Sequence, residues 1–138
     1  MKKAKIGALL ISTLMFVSMF NINANAASSV ETSEFGTFSW NLEREYQPGV
    51  RTYYVWAEAT TSITKNYSST STKVIASIEV QDNETGRTLD YRTKSNSTGP
   101  SVILESYANT SRYREMAVFG CHEARGQGSI VRYTSTKI

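Results

Sequence analysis

The chain has 138 residues, with 15 Lys and Arg against 12 Asp and Glu, one His and one Cys. Its length suits one domain around one hydrophobic core, and a single Cys excludes an internal disulfide. The formal charge of +3 points to an anionic partner only until its distribution is examined.

Residues 1–26 hold Lys2, Lys3 and Lys5 and no acid, then an apolar run from Ile6 to Phe20 and the small-residue site Ala24-Asn25-Ala26. That order is the layout of a secretory signal peptide. The run, about 15 residues long, falls short of the roughly 20 that a spanning helix needs, and no Cys stands at the cleavage site to carry a lipid. Cleavage after Ala26 leaves 112 residues with 12 basic and 12 acidic side chains. The expectation is a secreted, extracellular protein of net charge zero. The case for nucleic acid as a partner goes with the three lysines, and the short basic start resembles signals of Gram-positive bacteria.

The remaining chain divides into a flexible lead over 27–34 and a β domain over 35–138. It carries 16 Ser, 15 Thr, all 8 Tyr and both Trp, while Leu occurs only at 42, 89 and 104. Thr and aromatic residues favour a pleated surface, and strong helix formers are scarce. An opening strand is expected near Phe35–Leu42. Tyr53, Val55, Ala57, Ala59, Thr61 and Ile63 alternate with Tyr54, Trp56, Glu58, Thr60 and Ser62, the period of a long strand or a bent pair. The run of Ser and Thr from Ser68 to Thr72 reads as an exposed loop. Lys73–Gln81 gives the clearest alternation, with Val74, Ala76, Ile78 and Val80 on one face. Asp82-Asn83-Glu84-Thr85-Gly86 supplies a turn, so the chain should return through Arg87–Lys94 as a hairpin. Ser95–Pro100 is a second turn, Ser101–Tyr107 a strand, and Ala108–Arg112 a polar connection. Tyr113–Glu123 and Ser129–Lys137 pair around Arg125-Gly126-Gln127-Gly128. Seven strands at this spacing predict a small antiparallel β-sandwich.

Four groups of residues are candidates for function. Charge divides the mature chain into 27–90 with 5 basic and 9 acidic groups and 91–138 with 7 and 3. Arg92, Arg112, Arg114, Arg125 and Arg132, with Lys94, could therefore form a basic face for a phosphate-rich wall polymer or an anionic lipid surface. The alternative is that these charges are spread over solvated strands. Trp40, Tyr46, Tyr53, Tyr54, Trp56, Tyr67 and Tyr91 could form a platform that stacks on sugar rings or anchors a protein or membrane surface, with Tyr54, Trp56 and Tyr67 the binding candidates; the alternative is core packing and cross-strand pairing. Tyr54 and Trp56 share the face of Glu58, opposite Val55, Ala57 and Ala59, so one of the two faces is aromatic. Trp40 and Tyr53 are expected in the core.

Cys121-His122-Glu123 is the third group. A Cys–His pair needs hydrogen-bond proximity, and neighbours on a strand point to opposite faces, so no dyad is expected. A hydrolase would have to use His122, the sole His, as its base. No catalytic residues are assigned and the chain is read as no enzyme. The fourth group is metal-like: His122-Glu123 lacks the second His of a zinc-protease helix because Gly126 stands there. Asp82, Asn83, Glu84 and Asp90 are explained by turn chemistry as well as by calcium. No metal and no cofactor are assigned.

Asn66-Tyr67, the Ser/Thr run, Val74–Val80 and the turn Asn83-Glu84-Thr85-Gly86-Arg87 together resemble the central hairpin of the lactococcin group of secreted β-sandwich bacteriocins from Gram-positive bacteria. The resemblance covers about 25 of the 112 residues. It implies a cysteine-poor two-sheet fold and an antibacterial protein acting at the envelope of sensitive cells. Three functions are thus expected in order: a non-enzymatic binder of a cell-wall polymer, membrane surface or envelope protein; a structural or interaction protein of a spore, biofilm or cell surface, in which Cys121 could link a homodimer; and a secreted hydrolase.

Overall fold

Period-two alternation of apolar side chains builds this chain into two sheets. A computed structural model describes residues 28–48, 53–65, 72–110 and 115–137; the segment expected as a signal peptide, 1–26, and Tyr67, Arg112 and Arg114 lie outside them. The strands are β1 (Ser29–Ser33), β2 (Gly36–Pro48), β3 (Tyr53–Ile63), β4 (Lys73–Asp82), β5 (Thr88–Asn96), β6 (Ser101–Thr110), β7 (Met116–Arg125) and β8 (Ser129–Lys137). All neighbours are antiparallel, in the orders β1-β2-β3-β6 (sheet A) and β5-β4-β7-β8 (sheet B). The architecture is the expected all-β sandwich, with eight strands in the described residues.

The core lies between the sheets. Phe38 and Leu42 of β2, Val55, Ala57 and Ala59 of β3, and Val102, Leu104 and Ala108 of β6 meet Val74, Ala76, Ile78 and Val80 of β4 and Met116, Val118 and Ala124 of β7. Each strand contributes every second residue, so the opposite residues must leave the core. Trp40 and Tyr46 pack at its margin, and Tyr46 stacks on Tyr53 at 6.0 Å. Small residues at 57, 59 and 76 let the sheets approach where the larger side chains interdigitate.

Turn chemistry fixes the β4–β5 hairpin. The Asp82 carboxylate accepts from the backbone N–H groups of Glu84 (3.0 Å) and Thr85 (3.3 Å). Gly86 takes φ +68°, where a side chain would be strained.

Three segments differ from the sequence expectation. Residues 29–33, expected as a flexible lead, form β1. Their inward positions are Ser29, Glu31 and Ser33, and the one large apolar residue, Val30, faces out at 61% exposure. No apolar alternation marks such an edge strand. It is held by pairing to β2 and by the Glu31 carboxylate, which accepts from Arg132 Nε (3.0 Å) and Nη2 on β8. β2 runs six residues beyond Leu42 because Arg44 occupies an inward position and donates from Nε to Thr136 Oγ1 across the sheets (3.0 Å). β6 continues through Thr110 rather than stopping at Tyr107, with Ala108 in the core.

Polar contacts close the two open edges. At one, Ser106 Oγ of β6 donates to Asp90 of β5, Lys94 Nζ to the Ile103 carbonyl (3.1 Å) and Asn96 Nδ2 to the Ser101 carbonyl (2.8 Å). At the other, Arg132 engages Glu31 and lies 6.0 Å from the Trp40 ring.

Candidate binding face

The outer face of sheet A collects the exposed aromatic residues of β3 and β6. Burial of Val55, Ala57, Ala59 and Thr61 turns Tyr54, Trp56, Glu58 and Thr60 outward, and burial of Val102, Leu104, Ser106 and Ala108 does the same for Ile103, Glu105 and Tyr107. Register then sets the rows. Trp56 lies opposite Tyr107, and Thr60 opposite Ile103. Tyr54 stands two residues along β3 from Trp56, about 7 Å away at strand rise. Tyr54, Ile103 and Tyr107 are 42%, 51% and 57% exposed.

Carboxylates run across the same face. Glu58 sits directly between Glu43 of β2 and Glu105 of β6, and Glu45 lies opposite Trp56. Their hydrogen-bond donors are neutral: Trp56 Nε1 to Glu105 (3.3 Å), Asn41 Nδ2 to Glu43 (2.6 Å) and Thr60 Oγ1 to Glu58 (3.4 Å). Among the described residues, this face of the four strands holds no Lys or Arg.

Of the arginines anticipated as a basic face, the three in the described residues, Arg92, Arg125 and Arg132, are dispersed. Arg92 is on β5 and Arg132 on β8, at opposite edges of sheet B with β4 and β7 between them, about 14 Å apart at the usual strand spacing. Arg92 pairs with Asp90 (2.9 Å) and Arg132 with Glu31. Arg125, at the end of β7, pairs with Glu123. Each of the three thus spends its charge on a neighbouring carboxylate, and two of them sit where the sandwich closes.

Cys121 and His122 point to opposite faces of β7. His122 is fully buried between the sheets, Nδ1 at 2.9 Å from Thr61 Oγ1 of β3 and Nε2 at 3.0 Å from Thr134 Oγ1 of β8. Burial pushes its imidazole down to about 4. Both ring nitrogens are engaged by hydroxyls, and among the described residues the side chain is fully covered. Cys121 lies on the outer face of sheet B beside Ala117 and Phe119, 8% exposed. Burial, with Glu123 adding to it, pushes its thiol up to about 12. A protonated, covered thiol is poorly placed for exchange, so a Cys121-linked dimer would require this face to open. Asp82 is taken up by its turn, and Asp90 by Arg92 and Ser106.

No family model matches the chain, and no curated protein does. Among solved structures it is similar to the X-ray structure of Northeast Structural Genomics Consortium target SoR45. The identity is 10%, the TM-score 0.44, and the match covers 72% of this chain and 84% of that one.

Sequence reading picked out Tyr54 and Trp56 but missed Tyr107, Ile103 and the carboxylate row. The signal was present in part: alternation of Val102, Leu104, Ser106 and Ala108 assigns Ile103, Glu105 and Tyr107 to one outer face. What alternation lacks is neighbourhood. Only the order β2-β3-β6 brings Glu43, Glu58 and Glu105 into one line.

Proposed function

We propose that the protein is a secreted, non-enzymatic binding module that attaches to a cell-envelope component through the outer face of sheet A. The observation that carries this reading is the cross-strand pair Trp56–Tyr107 with Tyr54 beside it, three aromatic side chains left on the flat of a sheet. Trp and Tyr offer large, stiff contact areas with a polar handle, and the Trp56–Glu105 hydrogen bond orients the indole. The sole His is enclosed by Thr61 and Thr134, which favours binding over hydrolysis. The resemblance to the lactococcin group adds an antibacterial use of the same contact.

The test is retention by isolated cell envelopes. The Tyr54→Ala/Trp56→Ala protein, with an unchanged circular dichroism spectrum, loses retention if this face makes the contact. Full retention by the double variant refutes it. Growth inhibition of sensitive bacteria that disappears in the same variant would tie the contact to antibacterial action.

A further inference from the structure

Resting on the sheet A face as the contact surface, we propose that its ligand is a glycan with free amino groups, an N-deacetylated amino-sugar polymer of the envelope. Two features of the face meet in such a ligand. Tyr54, Trp56 and Tyr107 present rings to the apolar faces of sugars, and Glu43, Glu45, Glu58 and Glu105 present four negative charges among them; no Lys or Arg is rooted on the described part of the face, and the Lys94 ammonium of β5 reaches only its β6 edge, at the Ile103 carbonyl.

Charge complementarity selects the occupant. Like charges directly opposite each other on adjacent strands oppose folding, and here three stand in one line with only neutral donors as partners. The described ion pairs of the molecule, Arg92–Asp90, Arg125–Glu123 and Arg132–Glu31, all lie elsewhere. A protonated amine above the row relieves the repulsion and gains attraction to the neighbouring ring faces. A phosphate-rich wall polymer would meet repulsion of the same sign. A basic peptide shares the charge, but peptides that bind sheets add to an edge, whereas these rings and carboxylates lie on the flat. Sugar rings carrying amines use both.

The experiment titrates the purified secreted protein at pH 6, by calorimetry, with a β-1,4-linked glucosamine oligomer and with its fully N-acetylated counterpart. The free amine should bind about tenfold tighter, and the difference should shrink in high salt as the charges are screened. Glu58→Gln/Glu105→Gln should abolish the preference while keeping the binding common to both oligomers, and Trp56→Ala should lose both. Equal or tighter binding of the acetylated oligomer overturns the amine assignment and leaves aromatic stacking intact. Failure of both oligomers overturns the amino-sugar assignment, and envelope retention that is also insensitive to Tyr54→Ala/Trp56→Ala removes the face itself. An oligolysine of equal charge binding as tightly as the glucosamine oligomer overturns the glycan in favour of a basic protein.

Discussion

Acid should loosen this sandwich through His122. The imidazole is fully buried, bridges the sheets through Thr61 and Thr134, and is held down to about 4 against an ordinary 6.5. Its cross-strand neighbours on β4 and β8 are Ala76 and Arg132, and Arg44 of β2 reaches Thr136 on the same side of β8. The nearby charges that face inward include these two cations, with Glu31 already paired to Arg132. Because the folded value lies below the unfolded one, the unfolded chain takes the proton first. The stability linked to neutral His122 is therefore complete above about pH 6.5 and is lost as the pH falls towards 4. Linkage gives a loss of about 2 kcal/mol by pH 5 and about 3 kcal/mol by pH 4. Urea unfolding at pH 7 and pH 5 measures it in the native protein and in His122→Gln, whose amide can keep one threonine bond but does not titrate. Native protein should lose about 2 kcal/mol more than the variant between the two values. An identical loss in both would place the acid sensitivity on the carboxylates and refute the role of His122.

Further outcomes follow from the same geometry. Cys121 should resist a water-soluble thiol reagent at pH 8 and react on addition of urea, and the purified protein should run as a monomer on a non-reducing gel; rapid native labelling would contradict its burial. Glu58→Gln should raise stability by about 0.5 kcal/mol by removing the middle charge of the row, read as a higher urea midpoint, so the same change that weakens an amine ligand strengthens the fold. Glu31→Gln should cost about 0.5 kcal/mol, a partly exposed pair being screened by solvent, and should speed amide exchange in Ser29–Ser33 while leaving β4 and β7 protected.

Much of the fold was legible because most strands carry a one-sided apolar alternation. Val74–Val80 and the Asp82–Gly86 turn predict the β4–β5 hairpin closely, and the Arg125–Gly128 turn separates β7 from β8 where expected. The pattern failed where polar side chains do core-facing work. Glu31, Arg44 and Arg132 point inward and close an edge of the sandwich, so β1 and the second half of β2 have no apolar signature. Of the basic residues after Tyr91, Arg132 was read as part of a surface but fastens the two sheets through Glu31. Cys121 and His122 were separable in advance because strand neighbours face opposite ways, but the Thr61–His122–Thr134 bridge depends on three strands from two sheets. The acidic row was hidden for the same reason.

Tryptophan emission tests the central claim most directly. Trp40 packs at the core margin under Arg132, and Trp56 lies on the outer face of sheet A. In a Trp40→Phe protein, Trp56 is the one indole of the chain. Addition of envelope material should shield its emission from acrylamide quenching in step with sedimentation of the protein. Sedimentation with the envelope while Trp56 stays as quenchable as in the free protein would show that the contact lies elsewhere.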